Sequence, residues 1–107
     1  MLKTRQKIKT IVNEYKKVLS GFGIHVERVI LFGSFAKGKP RKDSDIDLVV
    51  VSDDFEKLNL RERLEILGLA AVRIMQPIEA KGYTRREVEH VSSASFLQEV
   101  LATGVRV

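Results

Sequence analysis

The stretch Asp45-Ile46-Asp47-Leu48-Val49-Val50-Val51 constrains the fold more than any other part of the chain. Its alternation of acid and aliphatic ends at Asp47, and the rest is wholly apolar and mostly β-branched. That is the pattern of a strand covered on both faces within a sheet. A strand of this kind needs other strands beside it and packing layers around it, so the remaining segments must supply both.

They do so in a simple order. Ile8, Ile11, Val12, Tyr15, Val18 and Leu19 recur at helical spacing over residues 3–19, and Gly21 and Gly23 stop the pattern. Val26 to Phe32 is a short apolar run broken at Gly33, which reads as a strand entering a tight turn. Residues 36–44 carry Gly, Pro and basic side chains without apolar periodicity and read as an exposed loop, while Asp53 and Asp54 begin a further turn. From Leu60 to Met75 the apolar positions spread over more of a helix than one core-facing stripe requires, which predicts a helix that is central or faces a partner. Pro77 ends it and a third strand runs to Tyr83, a residue expected to pack. Thr84 and Glu87 form a capping box for a short helix, and Ser95 to Ala102 predicts a last helix ended by Gly104. The whole is expected to be a single domain, residues 1–107, of α/β (α+β) class: a small mixed sheet with its flanking helices on one side.

Composition narrows the chemistry. There is no cysteine, so disulfides, thiolate metal sites and cysteine nucleophiles are excluded, and carboxylates and histidine remain as metal ligands. No run approaches the ~18 to 20 consecutive apolar residues of a membrane span, and the Lys-rich start lacks the apolar centre of a signal peptide, so a cytoplasmic protein without membrane attachment is expected. The net charge of +5 comes from residues 1–20, where Lys3, Arg5, Lys7, Lys9, Lys16 and Lys17 face Glu14 alone. Beyond residue 20 acids and bases cancel, and the basic first helix reads as a solvated face rather than a nucleic-acid arm. His25 and His90 stand apart from every motif and receive no catalytic role.

The chemistry gathers around Gly33-Ser34, ten intervening residues, and Asp45-x-Asp47. Side chains two apart on a strand share a face, with Cα atoms roughly 6 to 7 Å apart, so Asp45 and Asp47 can converge on cations about 3.5 to 4 Å from each other. Hard oxygen ligands of this kind suit Mg²⁺, which completes its shell with water and substrate phosphate. Gly33 lets the backbone approach a phosphate, and Ser34 supplies a hydroxyl and a backbone N–H. Lys37, Lys39, Arg41 and Lys42 lie in the loop between, placed to meet triphosphate charge.

Gly33-Ser34 followed by Asp45-x-Asp47 in an apolar strand resembles the signature of the DNA polymerase beta-like nucleotidyltransferase superfamily. The short chain resembles its minimal nucleotidyltransferase branch, whose members are often antitoxin-like partners of HEPN-domain proteins. The resemblance implies a third carboxylate on a later strand, a place matched by Glu79 in Pro77-Ile78-Glu79-Ala80. It also implies two Mg²⁺ ions, held by Asp45, Asp47 and Glu79, and ATP or another nucleoside triphosphate, with Gly33 and Ser34 holding its β and γ phosphates. Transfer of AMP to a protein acceptor, the HEPN-domain partner itself, is then the expected activity, and a homo-oligomer is compatible with it. One departure is that many members carry Arg shortly after the Gly-Ser pair, whereas this chain has Phe35 and then Lys37. Neutralisation of the partner by occlusion, without catalysis, and a nucleic-acid adaptor built on the first helix are the alternatives.

Overall fold

The fold is organised around the strand that the sequence marks as buried on both sides. A computed structural model describes residues 5–36, 45–90 and 95–107. Within them the order is helix α1 (Arg5–Gly21), strand β1 (Arg28–Phe32), a short helix α2 (Gly33–Ala36), strand β2 (Ile46–Val51), a 3₁₀ turn (Asp53–Lys57), helix α3 (Leu60–Arg73), strand β3 (Ile78–Tyr83), helix α4 (Arg85–Glu89), helix α5 (Phe96–Thr103) and strand β4 (Val105–Arg106). The sheet has the order β3-β2-β1-β4, with β2 antiparallel to β1 and parallel to β3. A parallel pair cannot be joined by a tight turn, and here α3 makes the crossover from β2 to β3.

Alternation along the strands divides the interior in two. Val29, Leu31, Ile46, Leu48 and Val50 pack with Ile8, Ile11, Val12, Tyr15 and Leu19 of α1 and with Leu67, Ala70 and Ala71 of α3. Ile30, Val49 and Val51 point the other way and pack with Leu97 and Val100 of α5. The helices therefore lie on both faces of the sheet, which corrects the expectation that they share one. The physical reason is β2 itself: with Val49 and Val51 essentially inaccessible, its second face requires a cover, and α5 provides it.

Helix ends follow local chemistry. Asn59 and Glu62 form a reciprocal capping box at the start of α3, and Thr84 and Glu87 do the same for α4, as their spacing predicts. At the other end of α3 the Met75 N–H bonds to the Val72 carbonyl (3.0 Å) and the Gln76 N–H to the Ala71 carbonyl (3.2 Å), the two bonds of a Schellman stop. That stop requires a left-handed residue, and Met75 adopts it at φ 55°. Glycine usually fills this place because a Cβ is strained there. Met75 is also 88% exposed, so its side chain offsets none of the strain by burial.

Two further features carry no periodic signal in the sequence. β4 pairs Arg106 with Ile30 and Val105 with Leu31, closing the β1 edge. The chain turns into it at Gly104, where a Cβ would stand 2.5 Å from Ile30 Cγ2 and 2.6 Å from the Val100 carbonyl oxygen. Arg63, only 6% exposed, donates from Nε to the Phe55 and Leu58 carbonyls and from Nη1 to the Gly82 carbonyl and to Glu87 Oε1 (2.7 Å). One guanidinium thus ties the 3₁₀ turn, α3, β3 and α4 together. Burial by itself would raise the Glu87 pKa, but the bonds from Arg63 and the Thr84 N–H outweigh it and hold the carboxyl below its usual range.

Two substitutions test this description. Replacing Met75 by Gly relieves a left-handed side chain and is expected to stabilise the protein by about 1 kcal/mol, read as a rise in Tm. Replacing Arg63 by Met leaves four acceptors without their shared donor and is expected to cost about 2 to 3 kcal/mol in urea unfolding.

Candidate active site

β2 delivers Asp47 to the site because it is the one residue of the strand that is not buried. Ile46 and Leu48 point into the α1/α3 core, so Asp47 must face the α5 side. The parallel ladder sets Glu79 of β3 directly beside Asp47, and the antiparallel ladder sets Phe32, the last residue of β1, on its other side. Backbone bonds from Ile46 N–H to the Pro77 carbonyl (2.7 Å) and from Ser52 N–H to the Tyr83 carbonyl (2.9 Å) fix that register at both ends. Asp45 precedes β2 by one residue and is exposed, Asp47 is half-buried, and Glu79 is exposed.

The turn after β1 is fitted against this acid. Gly33 has φ +75°, and a Cβ on it would stand 2.2 Å from Asp47 Oδ2 and 3.1 Å from its Cγ. Glycine is therefore required twice over, by conformation and by contact with the carboxylate. Ser34 follows at the start of α2, half-buried beside the same turn. Phe35, the departure noted in the sequence, packs with Ala36 against the main core and so anchors α2 to the domain. Lys37, Lys39, Arg41 and Lys42 lie outside the described residues.

Charge is concentrated here by the fold. The pKa of Asp47 is raised, first by burial and then by the negative charges of Glu79 and Asp45, with Lys81 opposing them. The three acids of the motif therefore sense one another across two strands. Among the described residues no three carboxylate or imidazole groups are already drawn together as a metal cage. The donors are nonetheless all hard carboxylate oxygens, and their mutual repulsion is what a divalent cation would relieve.

The histidines have structural surroundings. His25 offers its backbone N–H and its ring Nδ1 to Asp54 Oδ2 (2.7 and 3.1 Å), while Ser52 Oγ donates to the His25 carbonyl (2.7 Å). His90 Nδ1 contacts the Arg86 carbonyl at the end of α4. Lys7, Lys9 and Lys17 lie on the solvent side of α1, whose other side is core. No helix is long and apolar enough to cross a membrane among the described residues. Sequence reasoning passed over Lys81, which shares the face of Asp47 and Glu79. The period-two spacing from Glu79 is its only trace in the sequence.

A mixed sheet with a glycine–serine bend at one strand end and an acid-bearing strand beside it marks this domain as a nucleotidyltransferase. The chain belongs to the nucleotidyltransferase domain family, whose model matches residues 5–98. It is 36% identical over 95 residues to the MJ1379 protein of Methanocaldococcus jannaschii, an alignment spanning 82% of this chain and 94% of that protein. It is 34% identical over 100 residues to the protein adenylyltransferase MntA of Thermococcus cleftensis, spanning 82% of this chain and 96% of that one. Its fold is similar to a chain in the crystal structure of a toxin–antitoxin with AMP-PNP, with a TM-score of 0.62 and 23% identity over 88% of this chain and 69% of the other.

The electrostatics of Asp47 make a measurable statement about the protein without added divalent ions. A carboxyl whose folded pKa is raised is disfavoured in its ionised form, so its destabilising effect is present above the folded pKa and vanishes below the unfolded pKa near 4. Asp47→Asn is therefore expected to melt higher than the parent at pH 7 in chelator, with the gap closing as the pH falls towards 3. A variant that melts lower at pH 7 would contradict the electrostatic account.

Proposed function

We propose that this protein transfers AMP from ATP to a protein acceptor, as the antitoxin of a pair whose toxin is a HEPN-domain protein and the acceptor. The observation that carries the reading is the register of Asp47 with Glu79 beside the Gly33 bend. The Thermococcus cleftensis relative is named as a protein adenylyltransferase and the structural neighbour is a toxin–antitoxin with AMP-PNP, and both support the same direction.

In this reading Asp45, Asp47 and Glu79 would hold Mg²⁺, two ions in all, which when bound supplies charge neutralisation for the phosphates and acidifies the acceptor hydroxyl. The chain's own contribution is position. Gly33 leaves room for the triphosphate to lie against backbone, and Ser34 offers its hydroxyl and N–H to the β and γ phosphates. Lys37, Arg41 and Lys42 are proposed to meet the remaining phosphate charge. Glu79, on an edge strand, orients the acceptor from the open side of the sheet. The acceptor oxygen forms a bond to the α-phosphorus as the bond from that phosphorus to the β-bridging oxygen breaks. Pyrophosphate departs with the electron pair, and the hydroxyl proton passes to solvent. Fixed geometry and charge stabilisation carry most of the rate in such a displacement.

The deciding experiment incubates the protein with α-labelled ATP, Mg²⁺ and the HEPN-domain protein proposed as its partner. Label is expected on the partner, dependent on Mg²⁺, and Asp45→Ala/Asp47→Ala is expected to lower transfer at least ~10³-fold. Neutralisation of the partner by that double variant at full strength would instead show that occlusion, not transfer, is the function.

A further inference from the structure

The acid-bearing face of the sheet carries a cation that the motif does not include. Lys81 lies two residues beyond Glu79 on β3 and opposite Val49 on β2, so Asp47, Glu79 and Lys81 all face α5. A lysine next to acids ordinarily forms an ion pair. Among the described residues, however, no carboxylate lies within salt-bridge distance of its ammonium. The nitrogen sits instead 5.1 Å from the centre of the Phe96 ring, at the first residue of α5. Phe96 in turn stands edge-on to Phe32, with ring centres 5.3 Å apart and planes at 77°.

That chain of contacts fixes where the charge goes. Phe32 ends β1, precedes Gly33 and is the register partner of Asp47. The Lys81 side chain therefore ends at the ring that packs on Phe32, the neighbour of Asp47 in the sheet. Arg63, which lies beside Lys81 at the end of β3, is occupied by its carbonyls and Glu87. Lys81 is thus held beside the acids by an aromatic support that takes none of its three N–H donors.

We infer that Lys81 is a phosphate-binding residue of this site, whose ammonium contacts a non-bridging oxygen of the nucleotide's α-phosphate. The inference rests on the nucleotidyltransferase reading of the site. Geometry selects the α-phosphate. Gly33 follows the end of β1 and Lys81 stands on β3, about 10 Å away across the sheet by two strand spacings and further displaced along it, since Phe32 pairs with Asp47 and Lys81 with Val49. With the β and γ phosphates at Gly33 and Ser34, the phosphate within reach of β3 is the one nearest the nucleoside.

The test is calorimetric binding of ATP, ADP, AMP and adenosine in Mg²⁺ to the whole chain and to Lys81→Met, Lys81→Arg, Phe96→Leu and Asp47→Asn. Loss of one charge-assisted contact predicts a Kd about 10 to 30 times weaker for Lys81→Met. The same factor is expected for all three nucleotides, with none for adenosine. Lys81→Arg is expected to stay within about threefold of the parent, and Phe96→Leu to fall between. An effect of Lys81→Met that disappears with AMP would place the lysine on the outer phosphates and overturn the assignment. Unchanged binding by Lys81→Met, while Asp47→Asn loses it, would overturn the role of Lys81 and leave the site reading intact. A parent protein that binds none of the nucleotides would overturn both. Melting curves for each variant exclude misfolding, and Lys81→Arg keeps the question open to an answer if Lys81→Met unfolds.

Discussion

Burial of β2 on both faces is the condition from which the rest of the structure follows. A central strand of four consecutive core residues, Leu48 to Val51, can exist only between two ladders and beneath two helical layers. β1 and β3 supply the ladders, α1 and α3 one layer, and α5 the other. The same strand starts at the rim, so its second residue is an acid held rigidly by its apolar neighbours. The scaffold and the chemistry are consecutive parts of one six-residue element.

That arrangement explains how like charges stay close together. Asp47 cannot retreat, because Ile46 and Leu48 are locked into the core on either side, and Gly33 closes against its carboxylate. The backbone of Glu79 is held opposite Asp47 as well, because the β2–β3 ladder is pinned beyond both its ends. Burial, and after it the repulsion of Glu79 and Asp45, raise the Asp47 pKa, and both are imposed by the packing of β2. In the proposed reaction, cations and substrate would meet a charge distribution set before they arrive, with Lys81 already turned towards it.

Much of this was legible in the sequence because its signals are local. The capping residues Thr84 and Glu87, the stop before Pro77 and the bend at Gly33 each depend on a few neighbouring positions, and the structure places them as read. Gly33, Ser34, Asp45 and Asp47 are legible for the same reason. What escaped depends on distant partners. Arg63 looks like a surface residue until carbonyls of the 3₁₀ turn and of β3 surround it, and β4 is too short to leave any periodicity. The side of the sheet chosen by α5 is a question of packing that spacing within the helix does not answer. Lys81 reads as solvated unless Phe96, fifteen residues later, is known to lie over it. Glu79 stands between these cases: its residue type was visible, while its place beside Asp47 comes from a ladder between strands joined by a whole helix.

The position of β3 at the border of the sheet has one more consequence. Its alignment rests on a single ladder, and the side chains of a strand alternate strictly between faces. A slip of one residue along β2 would bring Ile78 or Ala80 opposite Asp47 and turn Glu79 towards the α1/α3 interior. Such a molecule would keep nearly all of its secondary structure and lose its third acid. Correct alignment of that last parallel pairing is thus a condition for a complete acid set, and the Arg63 tether, which grips β3 at Gly82, fixes that alignment as well as bracing the turn.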